Sequence, residues 1–501
     1  MCDNFVRNPA QLQSTTVAMI PEYLLMKWLS VFVVGVMAVG CTKANPKSCK
    51  DGLCTDQSFP FCDVDGTLGG EVQECIAVSC TPTEFEACRA DRELRCNATG
   101  NDYDITQCEL GCDAATDGCR LCDPNQTTCT NGKVATCDAD GNVVASKSCP
   151  LGCFEDQPRC REIDPSNNLA VYLDMVASPP DLDLSNAIFN TDTGEVRVAT
   201  QLVSVPNFLA PASGTGAAIR VFIANSITLN SASVQVGGDS RSPPGPGIAL
   251  VARGNVTITG EVIIQPRVGG AIFGCNPGTG SCADDGNGRA VASGGGGGAN
   301  ASDGGSGGSV ISSRAGGIQD VASGTVALVP LRGGCSGGFA GSFGPGTYPN
   351  GGGAIQISSG TKIDIDATID VRGATGEGDR CGTTNASMIG GGGAGGSILI
   401  EAPRVAFGIN AKLLAPGGVG AQGCVGASTY CGAAGTGATA SIAASAGADV
   451  PYTSTIDTLM MAGGGGGGLG RLRVNTADAV YTKTNTTIEA AVVTTGMLRS
   501  R

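Results

Sequence analysis

The sequence predicts an all-β protein in which small disulfide-rich N-terminal modules precede a right-handed parallel β-helix, a solenoid with long glycine-rich loops. Three observations lead there. Sixteen of the 24 cysteines lie between Cys49 and Cys160. A short unit of paired apolar strands returns five times from Ile219 onward. Glycine supplies 79 of the 501 residues, more than twice the usual share of about 7%, while aromatic residues make up only 4%.

Composition excludes several functions before any motif is read. There are 31 Lys and Arg against 45 Asp and Glu, a formal charge of −14, and a nucleic-acid partner would need a basic footprint. There is no histidine, which removes Ser/His/Asp and Cys/His nucleophile systems and every imidazole metal site. No cofactor and no metal is expected. Carboxylate, Lys, Arg or Tyr chemistry remains.

The N-terminal stretch divides into residues 1–25, a signal peptide at 26–40, and an anchor with its linker at 41–48. From Trp28 to Gly40 only Ser30 interrupts the apolar residues. Thirteen residues fall well short of the ~20 that span a bilayer as a helix but match a signal-peptide core, with Lys27 as its charged flank. A signal peptide works from the amino terminus, so Met26 is the expected start and residues 1–25, with Cys2, an over-extended reading of the gene. The run ends in "MAVGC", which resembles the lipobox of bacterial lipoproteins, although Ala38 stands where that family usually has Leu. The resemblance implies that Cys41 is lipidated and anchors the chain to a membrane. Thr42, in place of the Asp of an inner-membrane retention signal, makes the outer membrane the expected address, with the chain facing the periplasm or the cell surface.

Three cysteine modules follow, at 49–79, 80–120 and 121–160. Cys88, Cys96, Cys108, Cys112 and Cys119 are spaced 8, 12, 4 and 7 apart, and Cys129, Cys137, Cys149, Cys153 and Cys160 repeat those intervals 41 residues later. Cys80 and Cys122 lead the two copies, and Cys49, Cys54, Cys62 and Cys75 close a smaller leading module. In an exported chain such even counts indicate disulfides rather than a metal site. Modules of about 40 residues cannot bury enough apolar surface alone, so disulfides replace a core. Six cysteines allow fifteen connectivities. "DADGN" (Asp138 to Asn142) and "DVDG" (from Asp63) suggest calcium, but an EF-hand loop needs more carboxylates and a closing Glu. An Asp-Gly hairpin turn at Asp140 and Gly141 accounts for the first stretch. The spacing and the "CDVDG" stretch resemble Cys-rich surface lipoproteins of myxobacteria and related bacteria over residues 41–160, which implies an exported, surface-located role and no known chemistry.

Residues 161–215 alternate apolar and polar as strands do and suit a cap. The β-helix is assigned to 216–501. Its units begin "IRVFIANSITLN", "IALVARGNVTIT", "IQISSGTKIDID", "ILIEAPRVAFG" and "LRVNTADAVYTK", and a second apolar pair starts 8, 8, 8, 7 and 8 residues after the first. A third apolar position follows six or seven residues on, so three short strands per unit are expected. Recurring units of ~20 residues whose neighbours bury one another's apolar rows are the signature of a solenoid. Glycines stand just before each unit, at Gly214, Gly245, Gly351, Gly390 and Gly463, where a sharp corner would use φ > 0. Excursions at 266–350, 373–396 and 416–470 are expected to leave the coil as loops. They carry Cys275 and Cys282, and Cys424 and Cys431, each pair enclosing six residues and expected to close locally, which leaves Cys335 for Cys381. The runs match neither a phosphate loop nor the calcium-binding nonapeptide repeat.

Many β-helices act on polysaccharides, and the candidate catalytic residues here are Asp364, Asp366 and Asp370. In "KIDIDATIDV" the alternation turns Ile363, Ile365, Ile369 and Val371 inward and these three acids outward. The positions that stack on Asp364, however, are Thr257 and Ala406, which supply no carboxylate or base. Phe339, Phe343 and Tyr348 cluster in the longest loop. The region 165–501 resembles glycine-rich β-helix lipoproteins of predatory and fruiting bacteria. The expected role is therefore a surface-anchored, non-enzymatic structural or adhesive protein, its loop face (266–350 with 416–470) contacting an envelope or matrix polymer such as a polysaccharide. The alternative is a carbohydrate-active lyase or hydrolase using the three aspartates.

Overall fold

The computed structural model describes residues 48–49, 53–66, 68, 70–114, 118–120, 123–130, 132–139, 143–154, 156–214, 216–235, 245–266, 275–284, 290–311, 313–339, 349–380, 387–423, 431–451, 460–490 and 492–501. The leader, Cys41, Cys122, Asp140, Gly141, Phe343, Tyr348, Cys381 and Cys424 lie outside them. Nearly every described element is a strand, and the helix Ala170–Asp174 has five residues. Two compact units divide between Gly118 and Cys119.

The first unit is stapled rather than packed. Phe61–Asp63 pairs antiparallel with Glu74–Ile76, and Phe85–Arg89, Arg92–Cys96 and Tyr103–Gln107 form an antiparallel sheet. Disulfides join Cys49 to Cys62, Cys54 to Cys75, Cys80 to Cys96 and Cys88 to Cys112. Its buried apolar groups are mostly half-cystines together with Phe61 and Leu94, as expected where a small module lacks area to bury. The "DVDG" loop closes on Asp63, which accepts the Leu68 and Gly70 N–H groups at 2.9 and 3.1 Å. Arg89 pairs with both Asp63 and Asp65, so a guanidinium stands between the two carboxylates suggested for calcium.

The second unit begins with the other cysteine repeat. Lys133–Cys137 is flanked by Thr127–Thr130 and Val143–Ser148, both antiparallel, which is the hairpin expected across Asp140 and Gly141. Cys129 is bridged to Cys153 and Cys149 to Cys160. Cys88–Cys112 and Cys129–Cys153 occupy equivalent places in the two copies, both 24 residues apart, so one connectivity serves both where both are described.

Two largely parallel sheets follow. One runs through Leu182–Asn190, Ile227–Gln235, Val256–Ile264 and Lys362–Asp370 to Arg404–Phe407 with Lys412–Leu414. The other runs through Ile219–Ala224, Gly247–Ala252, Ala354–Ser359, Ser397–Glu401, Arg471–Thr476 and Val492–Met497. Each sequence unit places its first strand in the second sheet and its next in the first. Register stacks like on like: Leu229, Ile258, Ile365 and Phe407 form one row. Phe222, Leu250, Ile357, Ile400 and Val474 form the facing row. Both belong to one buried cluster, and each fully buried aliphatic side chain there contributes roughly 1.5–3 kcal/mol.

Several expectations are corrected. In the first three units the expected third strand is the second half of a nine-residue strand, Ile227–Gln235, Val256–Ile264 and Lys362–Asp370, whereas the last two units keep it separate, as Lys412–Leu414 and Thr487–Glu489. A left-handed residue, Ser231 (φ 61°) or Gly260 (φ 76°), turns the chain in mid-strand where register shifts. Residues 163–173 cover a face of the second sheet: Ile163, Leu169 and Leu173 pack on Val221, Ile223, Val251 and Leu399.

The described parts of the glycine-rich segments are not loops. Successive N–H groups of residues 463–468 donate to Ala448, Ala421, Gly295, Ser445, Gly418 and Gly298, so every third residue returns to the same neighbouring segment. The carbonyls of that stretch accept from Gly308, Gly435, Gly392, Gly305, Ala438 and Gly395 in the same rotation. Residues 391–396 repeat the pattern toward Gly338, Gly465, Ala374, Cys335, Gly468 and Val371. A three-residue period without internal hydrogen bonds is that of a polyproline-II-type helix, and residues 463–468 have six such neighbours. Glycine serves close approach here: a Cβ at Gly465 or Gly466 would overlap the carbonyl oxygen of Gly305 or Thr436. The expected φ > 0 holds at Gly214, but Gly351, Gly390 and Gly463 are not left-handed.

This packing also overturns the local cysteine pairing. Cys275 is bridged to Cys335, 60 residues away with Cα atoms 5.5 Å apart, and not to Cys282. Cys335 is therefore unavailable to Cys381. The Cys335 N–H donates to Ala299 O, so the bundle fixes the second half-cystine where the first arrives.

Candidate functional site

Each candidate aspartate is held by its own surroundings. Ile363, Ile365, Ile369 and Val371 are buried and Asp364 stacks between Thr257 and Ala406, as the alternation predicts. Asp364 pairs with Lys362 at 2.6 Å and its side chain is 40% exposed. Asp366 accepts the Asn410 backbone N–H at 2.7 Å and its Nδ2 at 3.0 Å, bracing the turn after Phe407. Asp370, expected to point into solvent, is buried and accepts the Arg372 N–H at 3.0 Å and Nε at 2.6 Å. Asp364 and Asp366 thus sit among polar partners of the chain itself. The three are structural anchors along one strand, with Asp366 and Asp370 about 13 Å apart by strand rise.

The buried polar centre lies on the other sheet, at Glu401. Its carboxylate accepts from the Ser166 N–H (2.9 Å) and Oγ (2.6 Å), Gln356 Nε2 (2.9 Å), Ser358 Oγ (3.1 Å) and Asn475 Nδ2 (2.9 Å). Ser358, Glu401 and Asn475 are register partners on three successive strands. Five donors satisfy the charge without a cation. The result fastens residue 166 to the sheet. No sequence signal marked Glu401, because its partners lie up to 235 residues away.

The face predicted to meet a polymer, 266–350 with 416–470, holds the glycine bundle and a shallow depression lined by small residues such as Ser302, Thr439 and Ser441. Phe339 is buried there. Asp320 is buried beside the Cys275–Cys335 bridge and accepts the N–H groups of Asn276, Ala299 and Val321. Burial pushes its carboxyl above the usual range, against those hydrogen bonds and Arg332.

A cleft of about 500 Å³ opens between the second cysteine repeat and the parallel sheets. Lys147, Arg159, Arg161 and Arg253 line it together with a single acid, Glu162. Sequence reading missed it because the four cations are spread over more than 100 residues and meet only in the fold. The chain matches no family model, no curated protein and no solved structure.

Proposed function

We propose that the chain is an exported lipoprotein, lipidated at Cys41 and carried on the outer membrane, whose second unit is a right-handed parallel β-helix serving as a non-enzymatic, adhesive scaffold for an envelope or matrix polymer. The observation that carries the reading is the glycine bundle. Its inner segments direct their backbone groups at one another and bury them, which builds a rigid body with little side-chain chemistry. The two stacked parallel sheets with aligned apolar rows support the solenoid. The leader, the cysteine modules and the resemblance to surface lipoproteins support export and anchoring. The engaged state of Asp364, Asp366 and Asp370 favours a scaffold over a glycosidase.

Expression of the full-length chain in a Gram-negative host with radiolabelled palmitate tests the anchor: label and membrane fractionation are expected for the parent chain and lost in Cys41→Ser. An unlabelled chain, or unchanged fractionation of the variant, overturns it. The same chain on a polysaccharide panel is expected to be retained without releasing reducing or unsaturated ends. Product release that disappears in Asp366→Asn would overturn the scaffold reading.

A further inference from the structure

We infer that the cleft between the second cysteine repeat and the parallel sheets is a binding site for the carboxylates of an acidic polysaccharide. The inference rests on the polymer-binding reading above and gives that polymer a charge and a place.

The site begins with a hairpin. Phe154 N–H donates to Arg159 O at 3.1 Å and Arg161 N–H to Gly152 O at 2.9 Å, with Cys153 opposite Cys160. Alternation along the strand puts Arg159 and Arg161 on one side. Their guanidinium carbons lie 4.5 and 4.8 Å from the centre of the Phe154 ring. Disulfides to Cys129 and Cys149 hold both arms, so the two cations are organised before any ligand arrives.

The opposite wall supplies a third guanidinium. Arg253 donates to the carbonyls of Ala177, Leu173 and Val176 at 2.8, 3.1 and 3.0 Å, and its Nε is buried without an acceptor. Lys147 adds a fourth charge. Among the described residues no carboxylate pairs with Lys147, Arg159, Arg161 or Arg253, while Glu162, the one acid in the lining, is shared with Arg501 at 3.4 Å. The cleft thus concentrates four cations against one acid on a chain of net charge −14. Arg159 Nε donates to Gln157 Oε1 at 3.3 Å and Arg253 feels the charge of Asp174, so the cations are held in place but only partly neutralised, which favours an anion between them.

The remaining lining chooses among anions. Ser148, Asn225 and Thr361 offer neutral hydrogen-bonding groups, which suit sugar hydroxyls beside a carboxylate gripped by Arg. Gly254 and Gly360 leave part of the wall bare of side chains. A nucleic acid, at one charge per ~1.7 Å of duplex, would meet a repulsive surface beyond so small a cluster.

The test uses the full-length chain in mild detergent on immobilised polygalacturonate, with neutral dextran and anionic phospholipid vesicles in parallel. Retention on polygalacturonate is expected, with none on dextran, and it should fall away at about 1 M salt, where screening reaches ~3 Å. The Arg159→Gln/Arg161→Gln double variant should weaken binding about tenfold or more, consistent with the loss of two charge-assisted contacts. Lys412→Gln, an exposed cation opposite Thr368 and outside the lining, should bind as the parent does. Lys147→Gln, outside the hairpin, should also weaken binding and guards against a folding defect in the double variant. Parent-like binding by both Lys147→Gln and a folded double variant overturns the proposal. Binding to vesicles but not to polygalacturonate overturns it in favour of a lipid headgroup. Equal retention on dextran overturns the acidic site but keeps the polymer-binding scaffold, whereas retention on no polymer of the panel overturns both.

Discussion

Glu401 shows what one buried charge does when the fold surrounds it with donors. In Glu401→Ala five hydrogen bonds lose their acceptor at once, and each buried donor left unsatisfied costs about 1–3 kcal/mol. Glu401→Gln keeps one acceptor oxygen and should be milder. We expect the unfolding free energy, read from the fall of the urea midpoint at unchanged slope, to drop by several kcal/mol for Ala and by about 1–3 kcal/mol for Gln. Asp63 in the first unit makes a pH-dependent case. Burial opposes its ionisation, but the Gly70 and Leu68 N–H groups and Arg89 outweigh burial and hold its carboxyl below the usual range. A carboxylate depressed in this way stabilises the folded form above its unfolded value of about 3.9, and the contribution disappears as pH falls through the folded value. Asp63→Asn should therefore expose the Leu68 and Gly70 amides to hydrogen exchange at pH 6, and the difference from the parent should vanish in acid once Asp63 of the parent is protonated, below the usual carboxylate range. A difference that persists there would show that the carboxylate's charge is not what closes the loop.

At the scale of elements, the glycine helices reverse a familiar substitution rule. Replacing Gly by Ala usually stabilises by about 0.4–1 kcal/mol through the unfolded chain. At Gly466 a Cβ would overlap the Thr436 carbonyl oxygen, and at Gly465 that of Gly305. Backbone embraced by six neighbours cannot retreat, so Gly466→Ala should destabilise by several kcal/mol, on the scale of overpacked cores, and read out as early proteolysis of the second unit. These helices also show where the sequence is silent. Apolar alternation marked the strands of both sheets, and even the neighbours of Asp364, because side chains carry that signal. The bundle is ordered by backbone hydrogen bonds, which leave no hydrophobic period, and its glycines therefore read as loops. For the same reason Cys275 looked nearest to Cys282 in sequence, while the bundle brings Cys335 to it.

On the scale of the whole molecule, the two units rest on different physics, and reduction separates them. In the first unit the buried groups are largely half-cystines: Cys49, Cys62, Cys75, Cys96 and Cys108 are each under 9% exposed. Opening a disulfide in so small a module commonly removes 2–5 kcal/mol, comparable to what a single small core supplies. The second unit buries continuous rows of Ile, Leu, Val and Phe between two sheets, with backbone bonds throughout the glycine bundle. Its Cys275–Cys335 bridge closes a loop of 60 residues, worth about 4 kcal/mol by the chain-entropy relation, on a body large enough to lose that and stay folded. Trypsin with a mild reductant should therefore degrade the disulfide-stapled modules, residues 48–160, and leave a resistant fragment reaching Arg501, while without reductant both units resist. Mass mapping of the fragment's amino terminus reads the outcome. Loss of both units together on reduction would mean that the disulfides, and not the aliphatic rows and glycine helices, hold the second unit folded.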